Sequence, residues 1–250
     1  MFQYVFARLL AEHFGYAMEV PPLMGLPNIL PGKRYDSPTE RLSDAYDRDG
    51  MVVDAVAVFT NPAQRRILLD GLFQQSSIYE PYRDKIRGWF KDALPPLSSK
   101  ELIVVHARFC DYEDLGWTLP GSYYTEAIKR AKAEMPHCGV CILSDSPKRA
   151  EQYFSFIKQY SPRFVHNDSL CDLRLIVGAD MIICSNSSFA WWGAFLSKTT
   201  RVWMPHNWQP WGISQAGDRH WQPGKKYPTD LRLTKAGWNT IDMTGGMPRT

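Results

Sequence analysis

Two short stretches of this chain carry residue types that could hold an anion. The first is Ser185-Asn186-Ser187-Ser188, which separates the apolar run at 181–184 from a second apolar segment opening Phe-Ala-Trp-Trp-Gly. The first N–H groups of a helix lack acceptors and carry partial positive charge. A helix opening here would therefore cradle an anion, with the Ser187 and Ser188 hydroxyls as further donors. The plainer reading is a single serine acting as an N-cap. The second stretch is His106-Ala107-Arg108-Phe109-Cys110-Asp111-Tyr112, at the end of another apolar run. The fork of N–H donors on Arg108 suits a phosphate, whereas an exposed Arg108–Asp111 pair would contribute little. The chain has no Gly-x-Gly-x-x-Gly and no Walker loop, the usual markers of nicotinamide and ATP sites. No Asp-x-Asp stands near these strand ends to hold a divalent cation. A diphosphate bound without a metal needs arginine and helix-end donors, and both stretches offer them.

The surrounding pattern says what must position these residues. Residues 1–15 have apolar positions at helical spacing (Phe2, Val5, Phe6, Leu9, Leu10), with Gly15 as a stop. The five prolines of 21–38 predict irregular chain, and 51–59 reads as a strand. Helical patterns are expected at 61–73 and 78–90, and 94–99 reads as a linker. Beyond it the pattern becomes regular: strands near 101–108, 139–145, 163–168, 180–185 and 200–205 alternate with helices near 122–135, 147–160, 169–179 and 188–197. Such alternation predicts an α/β fold with a parallel, doubly wound sheet, which binds ligands at the carboxyl ends of its strands. His106 and Arg108, Ser144 and Asp145, Asn167 and Asp168, and 185–188 then share one edge. The expected division is an N-terminal domain at 1–97 and a nucleotide-binding domain at 98–250.

Composition narrows the class. The 250 residues carry a net charge of +3 (29 basic, 26 acidic), without the concentrated basic charge of a nucleic-acid binder. No run approaches the roughly 18 to 20 apolar residues of a membrane span. The N-terminus lacks the basic flank and small-residue cleavage site of a signal peptide. Five cysteines, an odd number, read as free thiols in a reducing compartment. Cys138 and Cys141 form a C-x-x-C, but it leads into a strand-like run without a second ligand pair, so a buried structural role is expected.

The segments MFQYVFARLLA, HARFCDY, GSYYTEAI, ILSDSP and CDLRLIVGADMIICSNSSFAWWGAFLS resemble, in order, the motifs of the α-1,2-fucosyltransferases of glycosyltransferase family 11. MPHNW and DLRLTKAGWNTI resemble that family's last segments, so the resemblance runs to about residue 241. It implies a GT-B-like, metal-independent enzyme whose C-terminal Rossmann-like sheet binds GDP-fucose, with no other cofactor, beside a smaller N-terminal α/β domain. Arg108 matches the arginine that grips the diphosphate, and His106 heads the same motif. Asp172 matches the acid that reads guanine. Asn186, Ser187, Ser188 and Phe189 match the segment wrapping the diphosphate, and Asp111 is the candidate general base. Trp191 and Trp192 are expected to pack on the sheet rather than against sugar.

Two departures stand out. The family's second arginine and glycine are Phe109 and Cys110 here. A Gly-Gly-x-Gly-Asn segment that precedes the MFQY match in the family is missing, which suggests a late start codon, a trimmed sequence or a real truncation, and leaves a small N-terminal domain. The implied reaction is inverting transfer of L-fucose from GDP-fucose to the 2-hydroxyl of a terminal galactose on an oligosaccharide acceptor. The implied setting is the bacterial cytoplasm or the periphery of the inner membrane. The alternatives are another GDP-sugar transferase, or a catalytically impaired protein that binds GDP or glycan.

Overall fold

The computed structural model describes residues 1–36, 38–42, 66–71, 73–74, 76–97, 101–206 and 237–241. Its contacts divide the chain into two compact units, Met1–Ala93 and Leu94–Thr250.

The first unit opens with α1 (Phe2–Phe14), whose stripe of Phe2, Val5, Phe6, Leu9 and Leu10 is buried. The helix ends at Gly15 with φ of 68°, a left-handed turn open to glycine. Phe6 stacks on Phe73 at 4.6 Å and Tyr4 meets Phe90 edge-on at 6.4 Å. β1 (Met18–Glu19) pairs antiparallel with β2 (Ile29–Leu30), a short strand within the irregular 21–38 stretch, and isolated bridges join Tyr16 to Lys33 and Leu23 to Leu26. Next, β3 (Thr39–Leu42) pairs in parallel with β4 (Arg66–Leu69). Over Arg66–Leu69 this corrects the helix expected at 61–73, because the alternating exposure of Arg-Ile-Leu-Leu suits a two-faced strand and pairing outweighs local propensity; residues 61–65 and 72 lie outside the described residues. The strand expected at 51–59 lies outside the described residues. The helical pattern at 78–90 holds, as α2 (Ser76–Tyr79), a 3₁₀ turn (Glu80–Tyr82) and α3 (Arg83–Phe90).

The expected linker also needs correction. Residues 94–97 are bound to the second unit: Leu94 is buried, Leu97 donates its N–H to the Arg174 carbonyl at 3.2 Å, and Arg174 Nε donates to the Pro95 carbonyl at 2.8 Å.

The second unit is an α/β layer structure around a six-stranded parallel sheet. Its elements are β5 (Leu102–Ala107), α4 (Cys110–Asp114), α5 (Gly121–Glu134), β6 (Gly139–Ser144), α6 (Pro147–Tyr153), β7 (Arg163–Val165), α7 (Ser169–Gly178), β8 (Met181–Ile183), α8 (Ser188–Leu196), β9 (Val202–Pro205) and β10 (Asn239–Ile241). A 3₁₀ turn over Phe154–Tyr160 completes the helical stretch that begins with α6. The spatial order is β10-β9-β8-β5-β6-β7, the 3-2-1-4-5-6 order of dinucleotide-binding sheets. All six residues of β5 are buried, as a continuous Ile/Val run in a central parallel strand requires.

On one face, Ile103, Val105, Val140, Ile142, Met181 and Ile183 pack against Tyr123, Tyr124, Ala127, Ile128 and Ala131 of α5. Two adjacent tyrosines of α5 also fix two strand ends. The Tyr124 hydroxyl donates to the His106 carbonyl at 3.4 Å, and that of Tyr123 to the Cys184 carbonyl at 2.6 Å. Burial pushes both phenols well up, so they remain donors. Cys138 and Cys141 are buried free thiols; burial pushes Cys141 up to about 11, far from the thiolate that redox chemistry uses.

Trp191 and Trp192 are fully buried, with Trp191 stacked on Phe195 at 4.8 Å. Their helix, α8, lies close against α7 because residue 193 is glycine. A Cβ there would stand 2.8 Å from the Ile176 Cβ and closer still to its Cγ2. Gly193→Ala should therefore lower stability by about 1–3 kcal/mol, the range for overpacking. In that background Ile176→Ala should cost less than in the wild type, because the two changes share one contact. Denaturant titration of the four proteins checks this, and strict additivity would contradict the close approach.

Candidate functional site

The sheet order creates a switch point between β5 and β8, whose connections leave in opposite directions across the sheet. Ligands of open α/β sheets sit outside the carboxyl ends of strands at such a point. The two stretches singled out in the sequence follow those two strands, 106–112 after β5 and 185–189 after β8.

His106 is the penultimate residue of β5 and is 5% exposed. Its Nδ1 lies 2.8 Å from Ser185 Oγ, and its ring is 5.7 Å from that of Phe189. Burial lowers its pKa to about 4, with Asp145 opposing the shift and Arg108 adding to it. At neutral pH His106 is thus an uncharged hydrogen-bonding group, and Arg108 is the cation of its loop.

The Arg108 side chain is 37% exposed and held by two carboxylates. Its Nε donates to Asp111 Oδ1 at 2.9 Å, and Nη2 lies 2.9 Å from the same oxygen. Asp145 Oδ2 lies 3.2 Å from Nε at ion-pair distance, without the alignment of a hydrogen bond. A guanidinium has five N–H donors. No partner among the described residues meets Nη1, which leaves that end for a ligand. Asp145 is itself anchored, because its Oδ1 accepts the Phe109 N–H at 2.9 Å. Phe109 faces the core, 1% exposed, with its ring 5.1 Å from that of Tyr153. The backbone thus points this position inward, where an apolar ring packs without a charge to pair.

On the other side, Ser187 caps α8, and its Oγ accepts the Phe189 N–H at 3.3 Å. Ser188 and Phe189 are half-buried at the helix start. The N-cap reading holds for Ser187, and the first turn of α8 keeps further N–H groups without intrahelical acceptors. Asn186 is 3% exposed, and its Nδ2 donates to the Trp117 carbonyl at 3.0 Å.

Asp172 stands apart, in the first turn of α7 after the edge strand β7. It is 6% exposed, and its Oδ1 accepts both the backbone N–H and the Nδ2 of Asn167, at 3.0 and 2.8 Å. Its Oδ2 lies 3.5 Å from His166 Nδ1. One strand, β6, separates β7 from β5, so the strand leading to Asp172 lies about 10 Å across the sheet from Arg108's strand.

Sequence reasoning placed Asp145 at this edge but gave it no role, and it missed Ser185 as the partner of His106. The register carried the signal: Ala107 pairs with Ser144, which brings Asp145 level with Arg108. Among the described residues, no group of three or more His, Cys, Asp or Glu could hold a metal ion. The chain does contain one Asp-x-Asp, Asp47-Arg48-Asp49, outside the described residues. Among the described residues no helix is long and apolar enough to cross a membrane.

No family model matches the chain. It is similar to a curated protein of Escherichia coli, an alpha-1,2-colitosyltransferase, with 26% identity over 146 residues. That alignment covers 51% of this chain and 50% of the relative, so the chain spans about half the length of the curated relative it matches. The crystal structure of POFUT1 in complex with GDP-fucose aligns with 56% of this chain and 54% of that chain, at 11% identity and a TM-score of 0.34. A likeness that slight carries no argument. What stands is an α/β unit with a parallel sheet of nucleotide-binding order, and a distant similarity to a glycosyltransferase.

Proposed function

We propose that this protein is an inverting transferase that moves L-fucose from GDP-fucose to the 2-hydroxyl of a terminal galactose, without a bound metal. The observation carrying this reading is the strand order, which sets Arg108 and the Ser187-capped start of α8 on the two sides of the switch point. The diphosphate lies between them, and Asp172 reads the guanine farther along the edge through Oδ2, since Asn167 occupies Oδ1.

Displacement takes place at fucose C1. The bond to the β-phosphate oxygen breaks while the acceptor 2-oxygen bonds to C1 on the opposite face and loses its proton to a carboxylate. Negative charge grows on the leaving GDP, where the Arg108 guanidinium and the α8 N–H groups stabilise it. Asp111 was the expected base. Its Oδ1 carries both contacts to Arg108, which fits a role in aiming the guanidinium. A second reading, transfer of colitose to a 2-hydroxyl, is favoured by the name of the curated relative.

The direct experiment incubates purified protein with lactose and either GDP-fucose or a GDP-linked colitose, and determines the product linkage by NMR. An α-1,2-linked fucosyl product is expected. Turnover of the colitose donor alone would favour the second reading, and GDP binding without turnover of either would favour a binding protein.

Activity should survive EDTA. Loss on chelation with recovery in Mn²⁺ would direct attention to Asp47 and Asp49. Arg108→Lys keeps the charge but loses the two-pronged grip, so kcat should fall by about 3 kcal/mol, on the order of a hundredfold. A surface pair with Asp111 predicts almost no change, since such pairs contribute about 0–1 kcal/mol. Steady-state kinetics on protein shown to be folded by circular dichroism separates the two.

A further inference from the structure

The two sides of the switch-point crevice come from separate loops, and three contacts tie those loops together. Deepest is the 2.8 Å contact between His106 Nδ1 and Ser185 Oγ. The Tyr112 hydroxyl donates to the Asn186 carbonyl at 3.2 Å, and Asn186 Nδ2 returns a bond to the Trp117 carbonyl at 3.0 Å. Tyr112 and Trp117 are themselves joined, by the Trp117 N–H to the Tyr112 carbonyl at 2.8 Å and by an edge-on ring contact at 5.6 Å. The result is a closed loop of contacts from α4 to the residue preceding the Ser187 cap and back.

Asn186 indicates that this loop of contacts has a purpose beyond packing. Only its NH₂ can meet the Trp117 carbonyl, so the amide orientation is fixed and Oδ1 is turned away. There Oδ1 is buried without a partner among the described residues. A buried acceptor without a donor is destabilising, a cost that an apolar side chain of similar size avoids. Tyr112 adds the link to chemistry: the Arg108 guanidinium lies 5.7 Å from its ring centroid, and Asp111, which holds Arg108, is its neighbour on α4. Burial pushes the Tyr112 phenol up, so the hydroxyl stays a donor.

We propose that Tyr112, Trp117 and Asn186 form a clasp that fixes Arg108 against the opening of α8, with the Tyr112 hydroxyl and the Asn186 amide as positioning residues for the diphosphate of the donor. This rests on the GDP-sugar reading above. Neither residue needs to touch the donor. The clasp acts by removing relative motion between the two loops that share the anion, and a misplacement of about 1 Å in such a site can cost on the order of a hundredfold in rate.

Tyr112→Phe is the discriminating variant. It retains the ring, its contact with Trp117 and its place beneath Arg108, and deletes only the bond to the Asn186 carbonyl. GDP binding is measured by calorimetry and guanosine binding by ligand-observed NMR, on wild type and variant, together with their melting temperatures. The clasp predicts about tenfold weaker GDP binding in the variant with guanosine binding unchanged, because only the diphosphate depends on the alignment of the two loops. A bond that serves stability alone lowers the melting temperature and leaves the ratio of GDP to guanosine affinity intact. That result overturns the clasp while the GDP-sugar reading stands. Failure of the folded wild type to bind GDP at all would overturn both.

Discussion

The parallel pairing of β5 with β8, Ile103 to Val105 against Met181 to Ile183, is the contact on which the rest of the carboxyl edge depends. These strands are separated in sequence by β6, β7 and four α-helices of five to fourteen residues, yet they lie side by side at the centre of the sheet. Because β5 pairs with β6 on its other side, the two halves of the sheet wind away from one line. That line has the loop of Arg108 on one side and the start of α8 on the other. Packing enforces the arrangement from one face, with Tyr124 holding the end of β5 and Tyr123 the end of β8. A single helix thereby sets the level of both loops.

Electrostatics at this edge follow from burial. His106 is too deeply enclosed to carry charge at neutral pH, and Phe109 turns into the core, so Arg108 is left as the cation of its loop. Two carboxylates surround it, Asp111 and Asp145. They hold the guanidinium by its Nε and Nη2 side and leave Nη1 without a partner among the described residues. In the proposed site an anion would meet a group already oriented, so less side-chain entropy would be lost on binding. In the same proposal the start of α8 is the complementary half, since its first-turn N–H groups offer partial positive charge without a full charge that needs a counter-ion.

The sequence made parts of this visible, because some signals are local. Four small polar residues between two apolar runs mark a strand end and a helix start whatever the partners, and 185–188 folds as that pattern suggests. Gly15 and the buried stripe of α1 were equally local. The strand order was not, since it rests on pairings between residues tens of positions apart. The segment around Arg66–Leu69 read as helical because four residues cannot fix a period, and only pairing with Thr39–Leu42 decides it. Asp145 had a place at the carboxyl edge but no role until the register set it level with Arg108. Trp117 gave no signal, because its contribution is a backbone carbonyl. The grip of 94–97 on α7 was hidden for the same reason.

The central claim is that the crevice between β5 and β8 binds a nucleoside diphosphate through Arg108 and the start of α8. A crystal structure of the protein with GDP tests it most directly. The account predicts the β-phosphate within hydrogen-bond reach of the Arg108 guanidinium and of backbone N–H groups in the first turn of α8. Ordered GDP at another place on the second unit, with Arg108 still facing only Asp111 and Asp145, would contradict it.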